Sequence, residues 1–170
     1  WNDHLVDAKW YFKFLYPSSL TGRLLNNKLN FDARKLLCLI NSNKSSFWFN
    51  ELYSEREKFI RYAENSSLDF DLYWIWWNTP NIKQIFFGYT PYLSYKGKVL
   101  DKIEVLSQYK FNICFENMKN TPGYITEKIW DAFKARCVPI YWGASNVTDY
   151  IPENTFIDFR KYENNYQSLS

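Results

Sequence analysis

The chain has 170 residues, of which 46% are hydrophobic and 23% are charged, a composition typical of a globular domain and not of a disordered segment. Its net charge of +3 suits a small anionic ligand and is too weak to indicate a nucleic-acid-binding surface. Cys38, Cys114 and Cys137 lie in or beside apolar runs, so we expect buried free thiols, without disulfides or a metal site.

The first thirty residues are predicted to form a segment apart from the main domain. They contain an aromatic-rich run that leads into Pro17, a serine pair and Gly22, which are typical linker residues. A segment this short cannot build a hydrophobic core by itself. We therefore divide the chain into residues 1–30, a tail with a linker, and residues 31–170, one globular domain.

A strand and a polar loop are predicted next. Leu36–Ile40 is a compact apolar run that ends at the polar residues 41–44, and α/β sheets bind ligands at the carboxyl ends of their strands. The loop that follows carries Phe47, Trp48 and Phe49, which we interpret as a packed flap.

A helix is predicted to begin at Ser54, because Glu57 three residues later completes a capping-box pattern. Arg56 lies in the first turn of this helix, where a phosphate would bind. The alternative is that Arg56 forms a surface ion pair with a neighbouring glutamate. The predicted apolar stripe of the helix consists of Phe59, Ile60 and Ala63.

Asp69 and Asp71 are candidates for a metal site. Their spacing by two places both carboxylates on one face of a strand, and carboxylates bind hard cations. Aspartate is also common where a strand begins, so a structural role is the alternative and the one that we favour.

The second half of the chain alternates helices with strands. Asp101 predicts the start of a helix that leads into a strand over residues 111–115. Thr126 is predicted to cap the next helix through its hydroxyl, and residues 138–142 and 155–159 have the composition of the last two strands. This alternation predicts a parallel, Rossmann-like α/β sheet with helices on both faces.

Glu127 and Lys128 fall at the start of the helix that Thr126 is predicted to cap. A helix N-terminus carries partial positive charge and amides without intrahelical partners, so it favours an anion. Lys128 adds a full positive charge, and Glu127 offers an acceptor for sugar hydroxyls. The pair therefore suits a diphosphate that carries a sugar. The alternative is that both residues are exposed first-turn charges without a ligand.

The second half of the chain resembles one enzyme family. Three segments carry the likeness: FEN at 115–117, GYITEKIWDAF at 123–133 and CVPIYWGASNVTDYIP at 137–152. They are similar to the α-1,3/4-fucosyltransferases, densely from Tyr109 to Arg160 and more weakly back to about Lys35. The resemblance implies the two-domain GT-B fold, with this chain as its C-terminal half. It also implies an inverting transfer of fucose from GDP-fucose to a hydroxyl of an acceptor sugar.

The resemblance assigns donor-binding roles to five residues: Arg56, Asn117, Tyr124, Glu127 and Lys128. Lys128 and Arg56 match residues that bind the donor pyrophosphate, and the other three match residues of the GDP-fucose pocket. Glu127 and Lys128 are also the candidate catalytic residues. Lys128 would meet the negative charge that develops on the β-phosphate, and Glu127 would either hold a donor hydroxyl or stabilise the positively charged sugar.

The resemblance further implies that the family's general base and acceptor site belong to an N-terminal domain that packs on this one. Residues 1–30 are then interpreted as the tail of that domain, and the 170 residues alone are expected to be inactive. No cofactor and no obligatory metal are implied, and the expected partners are GDP-fucose and an acceptor glycan. Two alternatives stay open: a metal-dependent glycosyltransferase that uses Asp69 and Asp71, and a non-catalytic nucleotide-sugar or carbohydrate-binding domain.

Trp74 and Trp76 depart from the family pattern, because relatives tend to have glycine at both positions, in a tight turn after a strand. A tryptophan adopts the positive-φ conformations of glycine only at a cost in free energy. Either the loop is rebuilt in this chain, or the family's glycines are not needed for the turn.

The sequence contains neither a run of 18 apolar residues nor a signal-peptide pattern. We therefore expect a soluble intracellular protein. By resemblance, its location would be cytoplasmic or peripheral to a membrane in a bacterium, and the Golgi lumen in a eukaryote.

Overall fold

The computed structural model describes residues 30–79, 90–162 and 165–169. A parallel sheet organises them, with strands β1 (Lys35–Ile40), β2 (Phe70–Tyr73), β3 (Tyr109–Phe115), β4 (Val138–Trp142) and β5 (Ile157–Asp158). Their spatial order is β2-β1-β3-β4-β5, and all four neighbouring pairs are parallel. The order of the strands reverses between β1 and β3, as in doubly wound folds.

Helices cover both faces of this sheet: α1 (Tyr53–Asn65) on one face, and α2 (Lys102–Leu106) with α3 (Glu127–Lys134) on the other. Side chains along a strand point to alternate faces. On β1, accordingly, Leu37 and Leu39 pack with α1, whereas Cys38 and Ile40 pack with α2 and α3. The predicted fold, a parallel Rossmann-like sheet with helices on both faces, is confirmed. The three cysteines are buried and free, as predicted.

The start of α1 differs from the prediction. The helix begins at Tyr53 after the N-cap residue Leu52, and Glu51 supplies the cap. Its carboxylate accepts hydrogen bonds from the backbone N of Tyr53 at 2.5 Å and of Ser54 at 3.0 Å. The predicted capping box of Ser54 and Glu57 is therefore wrong, because the carboxylate of Glu51, upstream of the helix, accepts the hydrogen bonds from its first amides.

Two further boundaries can be compared with the prediction. The start of α2 is confirmed, since the Asp101 carboxylate accepts hydrogen bonds from the backbone N of Ile103 and Glu104. The last strand is shorter than predicted: β5 contains only Ile157–Asp158, because 3-10 turns over Glu153–Thr155 and Phe159–Tyr162 enclose it.

The predicted linker over residues 1–30 lies outside the described residues, apart from Asn30. Among the residues that the structure describes, no helix is long and apolar enough to cross a membrane.

Candidate functional site

A cleft of about 240 Å³ opens at the carboxyl ends of the strands. It is lined by Ile40, Asn41, Ser42, Lys44, Tyr53, Arg56, Trp74, Lys102, Asn117, Glu127 and Lys128. These residues come from the ends of β1, β2 and β3 and from the first turns of all three helices. Doubly wound domains bind ligands at the point where the strand order reverses, and the cleft lies at that point, between β1 and β3.

A buried ion pair lies beside the cleft at the end of β3, and its lysine lines the cleft. Glu116, the first residue after β3, is fully buried, and the Lys128 side chain is 8% exposed. The Lys128 Nζ lies 3.0 Å from Glu116 Oε2 and donates to Thr126 Oγ1 at 2.9 Å. We call Glu116, Thr126 and Lys128 the carboxyl-end cluster. Because Lys128 is buried and paired, the alternative of an exposed first-turn charge is wrong for this residue.

Thr126 is the N-cap residue of α3, but its hydroxyl makes no cap to the helix. The Thr126 Oγ1 instead donates to Glu116 Oε2 at 2.6 Å, and the Thr126 backbone N donates to Glu116 Oε1 at 2.7 Å. The predicted hydroxyl cap is therefore wrong, because the buried carboxylate of Glu116 competes for the same hydroxyl. The result is that Glu116 fixes the start of α3 and the position of the Lys128 ammonium together.

Gly143, directly after β4, is required by close packing against this cluster. A β-carbon at position 143 would lie 2.9 Å from the Cβ of Glu116 and 2.6 Å from the hydroxyl of Tyr141. Both distances are shorter than van der Waals contact, so any larger residue would displace Glu116. The position of Lys128 therefore depends on a glycine fifteen residues later in the chain.

Arg56 lines the same cleft and is only 2% exposed, so the alternative of a surface ion pair is wrong for this residue. Its Nη2 donates to the carbonyl oxygens of Phe115 and Glu116 at 2.8 and 2.6 Å, and to Asn117 Oδ1 at 3.0 Å. Burial lowers the pKa of Arg56 to about 10, so the guanidinium stays charged at neutral pH. Its Nε is buried and has no hydrogen-bond partner among the described residues.

Asn117 and Tyr124 are connected to Arg56. The Asn117 side chain accepts from Arg56, lines the cleft and donates from Nδ2 to the Tyr124 hydroxyl at 3.2 Å. Burial, and then the charge of Glu116, raises the pKa of the Tyr124 phenol, which therefore stays neutral. Tyr124 does not itself line the cleft. The structure thus places four of the five predicted donor-binding residues at the cleft wall and the fifth in contact with them.

Glu127 stands at the rim of the cleft, with its side chain 43% exposed and its Oε1 3.9 Å from the Lys128 Nζ. Among the residues that line the cleft, it carries the only negative charge, against the positive charges of Lys44, Arg56, Lys102 and Lys128. This balance favours an anion in the cleft, and the carboxylate at its edge is a group that accepts hydrogen bonds from hydroxyls.

The aromatic loop after β1 was interpreted as a packed flap, and the structure contradicts that interpretation. Phe47 and Phe49 are fully exposed and Trp48 is 75% exposed. The loop is held through its backbone instead. The N of Asn43 bonds to the Ile75 carbonyl, and the N of Lys119 bonds to the Asn50 carbonyl. The aromatic rings therefore project away from the core that they were expected to join.

Trp74 and Trp76 keep the turn geometry that glycine would adopt, because φ is 104° at Trp74 and 69° at Trp76. The loop is therefore not rebuilt into an ordinary conformation. Residues held at such angles typically carry about 1–3 kcal/mol of strain each. Trp77, by contrast, is buried and packs edge-to-face on Tyr92.

The two aspartates proposed as an alternative metal site lie toward the amino ends of the strands, away from the cleft. Asp71 pairs with Lys35 at 2.8 Å and with Lys96 at 3.3 Å, and accepts from the Tyr109 hydroxyl at 2.6 Å. We call Asp71, Lys35 and Tyr109 the amino-end cluster. Asp69 accepts from the backbone N of Leu36. Among the described residues, no group of three or more His, Cys, Asp or Glu side chains could hold a metal ion.

Two residues of the site were not predicted from the sequence. Glu116 anchors Lys128, and a charged residue directly after the apolar run of β3 was the available signal for it. Lys102, at the start of α2, lines the cleft and pairs with Asp131 at 3.4 Å. Nothing in the local sequence distinguishes Lys102 from an ordinary surface lysine, because its place at the cleft results from the packing of α2 beside α3.

The doubly wound sheet and its cationic cleft define an α/β domain of the class that binds nucleotides at a strand-order switch point. Comparison with known proteins narrows this class to one family of enzymes. The family model for glycosyltransferase family 10 (fucosyltransferase), C-term, matches residues 86–169. The α-(1,3)-fucosyltransferase FucT of Helicobacter pylori is 46% identical over 66 residues, 39% of this chain and 14% of the relative.

Two further similarities agree with these. The α-(1,4)-fucosyltransferase of Arabidopsis thaliana is 44% identical over 57 residues, which is 34% of this chain and 14% of that protein. A crystal structure of an α1,3-fucosyltransferase with GDP-fucose superposes with a TM-score of 0.56 and 29% identity, over 82% of this chain and 34% of that one. Over residues 86–169, the chain is similar to the C-terminal part of the fucosyltransferases of glycosyltransferase family 10, and it spans only 14% of the length of each of the two curated relatives.

Proposed function

We propose that this chain is the donor-binding part of an inverting α-1,3/4-fucosyltransferase, which transfers fucose from GDP-fucose to a hydroxyl of an acceptor sugar. The observation that carries the proposal is the buried Lys128, held by Glu116 at the switch point of the sheet and lining the same cleft as Arg56. Burying a lysine is costly unless it is paired. A lysine that is both buried and open to a cleft suits an anionic ligand.

Lys128 and Arg56 are proposed to bind the diphosphate of the donor. When GDP leaves, negative charge grows on the β-phosphate, and fixed positive groups stabilise that charge without rearranging. Glu116 holds the Lys128 ammonium, and the carbonyl oxygens at the end of β3 hold the Arg56 guanidinium. Both cations are therefore oriented before the donor binds, which is the condition for strong electrostatic stabilisation.

Asn117, Tyr124 and Glu127 are proposed to bind the remainder of the donor. Asn117 connects Arg56 to Tyr124 through two hydrogen bonds, so the three side chains form one hydrogen-bonded network of which Arg56 and Asn117 line the cleft. Glu127 stands at the exposed rim, where a carboxylate would hold a hydroxyl of the fucose or face positive charge on the sugar as GDP departs. Its position beside Lys128 is compatible with both roles.

The proposed reaction needs no metal, because side chains supply the positive charge beside the diphosphate. The alternative of a metal-dependent transferase on Asp69 and Asp71 has less support, since two lysines already neutralise Asp71. The acceptor site and the general base are proposed to belong to an N-terminal domain that packs on this one.

Relatives of this chain include an enzyme named GDP-fucose protein O-fucosyltransferase 3 in Homo sapiens, 44% identical over 50 residues, 29% of this chain and 10% of that protein. The name of that relative describes transfer to a protein, whereas we propose a sugar as the acceptor of this enzyme. A protein acceptor is the other class.

Calorimetric titration of the chain with GDP, with and without a chelator, tests the donor site. We expect binding in both conditions. Absence of binding, or binding that the chelator abolishes, would contradict the proposal. For the whole enzyme, a longer parent protein that binds GDP-fucose without turning it over would favour the alternative of a non-catalytic binding domain.

A further inference from the structure

The turn after β2 places one of its two strained tryptophans in the cleft. Trp74, with φ of 104°, lines the cleft, whereas Trp76, with φ of 69°, does not line it and is 52% exposed. For a bulky residue such angles are genuine outliers. Outliers of this kind persist where the surrounding structure imposes them, and they concentrate at ligand sites.

Several contacts fix Trp74 in this conformation. Its backbone N donates to the Gly97 carbonyl at 2.9 Å, and its carbonyl accepts from the Tyr95 hydroxyl at 2.7 Å. Its ring packs partly buried against the core cluster under α2 and α3, and the Lys102 Nζ lies 5.6 Å from the ring centre. The indole is therefore a preorganised part of the cleft wall and not a mobile surface side chain.

The position of Trp74 in the sheet indicates which end of a nucleotide it would meet. Neighbouring strands lie about 4.8 Å apart, so the ends of β2 and β3, with β1 between them, are separated by roughly 10 Å. Lys128 and Asn117 belong to the β3 end, where the diphosphate is proposed to bind. In doubly wound nucleotide-binding domains, the phosphates lie at a helix N-terminus and the nucleoside extends toward the neighbouring strand end. On this side, β1 is the strand that neighbours β3, and Trp74 lies just beyond it, at the end of β2, where a nucleoside that extends in this direction would reach.

We propose that Trp74 is a specificity-determining residue whose indole forms an aromatic wall for the base of a purine nucleoside diphosphate. The inference rests on the proposed donor site and adds the residue that recognises the base. Aromatic side chains bind bases by stacking, and the two-ring face of a purine offers more area than a pyrimidine. In this chain, Trp74 lines the cleft from a strained backbone position.

Trp76 provides a matched control. Trp74→Gly and Trp76→Gly make the same change in the same turn, and both remove a bulky residue from a positive φ. Calorimetry with GDP, UDP and inorganic pyrophosphate then separates base recognition from diphosphate binding. We expect Trp74→Gly to bind GDP about tenfold more weakly, as for loss of a base-stacking ring. We expect its pyrophosphate affinity to be unchanged and its preference for GDP over UDP to shrink. Trp76→Gly should match the wild type with all three ligands.

Trp74→Leu keeps apolar packing while removing the aromatic face, so it decides the matter if Trp74→Gly does not fold, as judged by thermal unfolding. A folded Trp74→Leu or Trp74→Gly protein that binds GDP as tightly as the wild type would overturn the inference. An equal loss of GDP and pyrophosphate affinity would also overturn it, because it would indicate a purely structural role. Failure of the wild type to bind GDP is a different result, which would contradict the proposed function itself.

Discussion

Two buried carboxylates near opposite ends of the sheet hold lysine side chains in different surroundings. In the carboxyl-end cluster, Glu116 is fully buried and its partner Lys128 is 8% exposed. In the amino-end cluster, the Asp71 side chain is 9% exposed, but that of Lys35 is 53% exposed. Each carboxylate also accepts from a hydroxyl, of Thr126 and Tyr109 respectively. The two clusters use the same groups and differ in the burial of the lysine.

This difference separates a functional candidate from a structural one. An exposed lysine is screened by water and contributes little to stability. A buried lysine loses its hydration, so its retention needs a compensating role. Lys128 faces a cleft at the switch point of the sheet, whereas Lys35 does not line that cleft. The comparison therefore supports our proposal that the carboxyl-end cluster binds the ligand, and it favours a role in stabilising the strands for the amino-end cluster.

The largest expected effect is on catalysis. In a longer parent enzyme, Lys128→Ala should reduce turnover by about 100- to 1000-fold, as for loss of one fixed donor to a developing negative charge. Turnover should fall more than donor affinity, because the charge on the phosphate grows in the transition state. Lys35→Ala is the matched control and should leave both quantities unchanged. Near-normal turnover of Lys128→Ala would contradict the proposed role of the carboxyl-end cluster in the reaction.

The next largest effect is on stability. Glu116→Gln leaves the buried Lys128 ammonium without its counter-ion and should lower the free energy of unfolding by about 3 kcal/mol, the typical result of breaking a buried pair. Asp71→Asn should lower it by ~1 kcal/mol or less, because the lysine partners of Asp71 are half exposed. Urea denaturation of the two variants measures both values. Equal losses would show that burial does not distinguish the clusters.

A smaller effect is expected in acid. Burial acts to raise the pKa of Asp71, but hydrogen bonds from Lys35 and Tyr109 outweigh it and hold the pKa below its usual value. The contribution of Asp71 is therefore fully present above the unfolded-state pKa, near 4, and is lost as the pH falls through the folded-state pKa. Unfolding followed from pH 6 downward should show a weaker pH dependence in Asp71→Asn than in the wild type. An identical pH dependence would argue that this pair is not formed in solution.

The smallest effect is expected from the three cysteines, which lie in the core that packs against α2 and α3. Burial raises the pKa of Cys137 to about 12 and places those of Cys38 and Cys114 well above the usual value. Since the thiolate is the reactive form, a thiol reagent at pH 8 should leave the native protein unmodified and label all three residues in urea. Fast labelling of the native protein would show that this core opens readily.

Much of the fold was predictable because the core residues repeat with simple periods. Residues 111–115 and 138–142 show the apolar pattern of strands, and Phe59, Ile60 and Ala63 show the spacing of a helix face, so their elements were predicted correctly. The errors occurred where a side chain outside the predicted motif bonds to the polar group instead. Glu51 caps α1 in place of Ser54.

The candidate site was predictable only in part, for a related reason. The identity of the donor-binding residues came from a resemblance, whereas the role of Glu116 comes from a contact across ten residues that brings its carboxylate under Thr126. Local patterns also do not indicate whether an aromatic loop is buried. Phe47 and Phe49 are of a residue type common in cores, yet both are fully exposed. Backbone hydrogen bonds, and not these side chains, connect their loop to the rest of the domain.

The most direct test of the account compares GDP affinity after each ion pair is replaced as a whole. The double variant Lys128→Met, Glu116→Gln removes the carboxyl-end pair without leaving a buried charge, and Lys35→Met, Asp71→Asn does the same at the amino end. Calorimetry should show GDP binding at least about tenfold weaker in the first variant, since a charge-assisted contact to phosphate is lost, and unchanged in the second. Equal GDP affinity in the two variants would contradict the assignment of the ligand site to the carboxyl-end cluster.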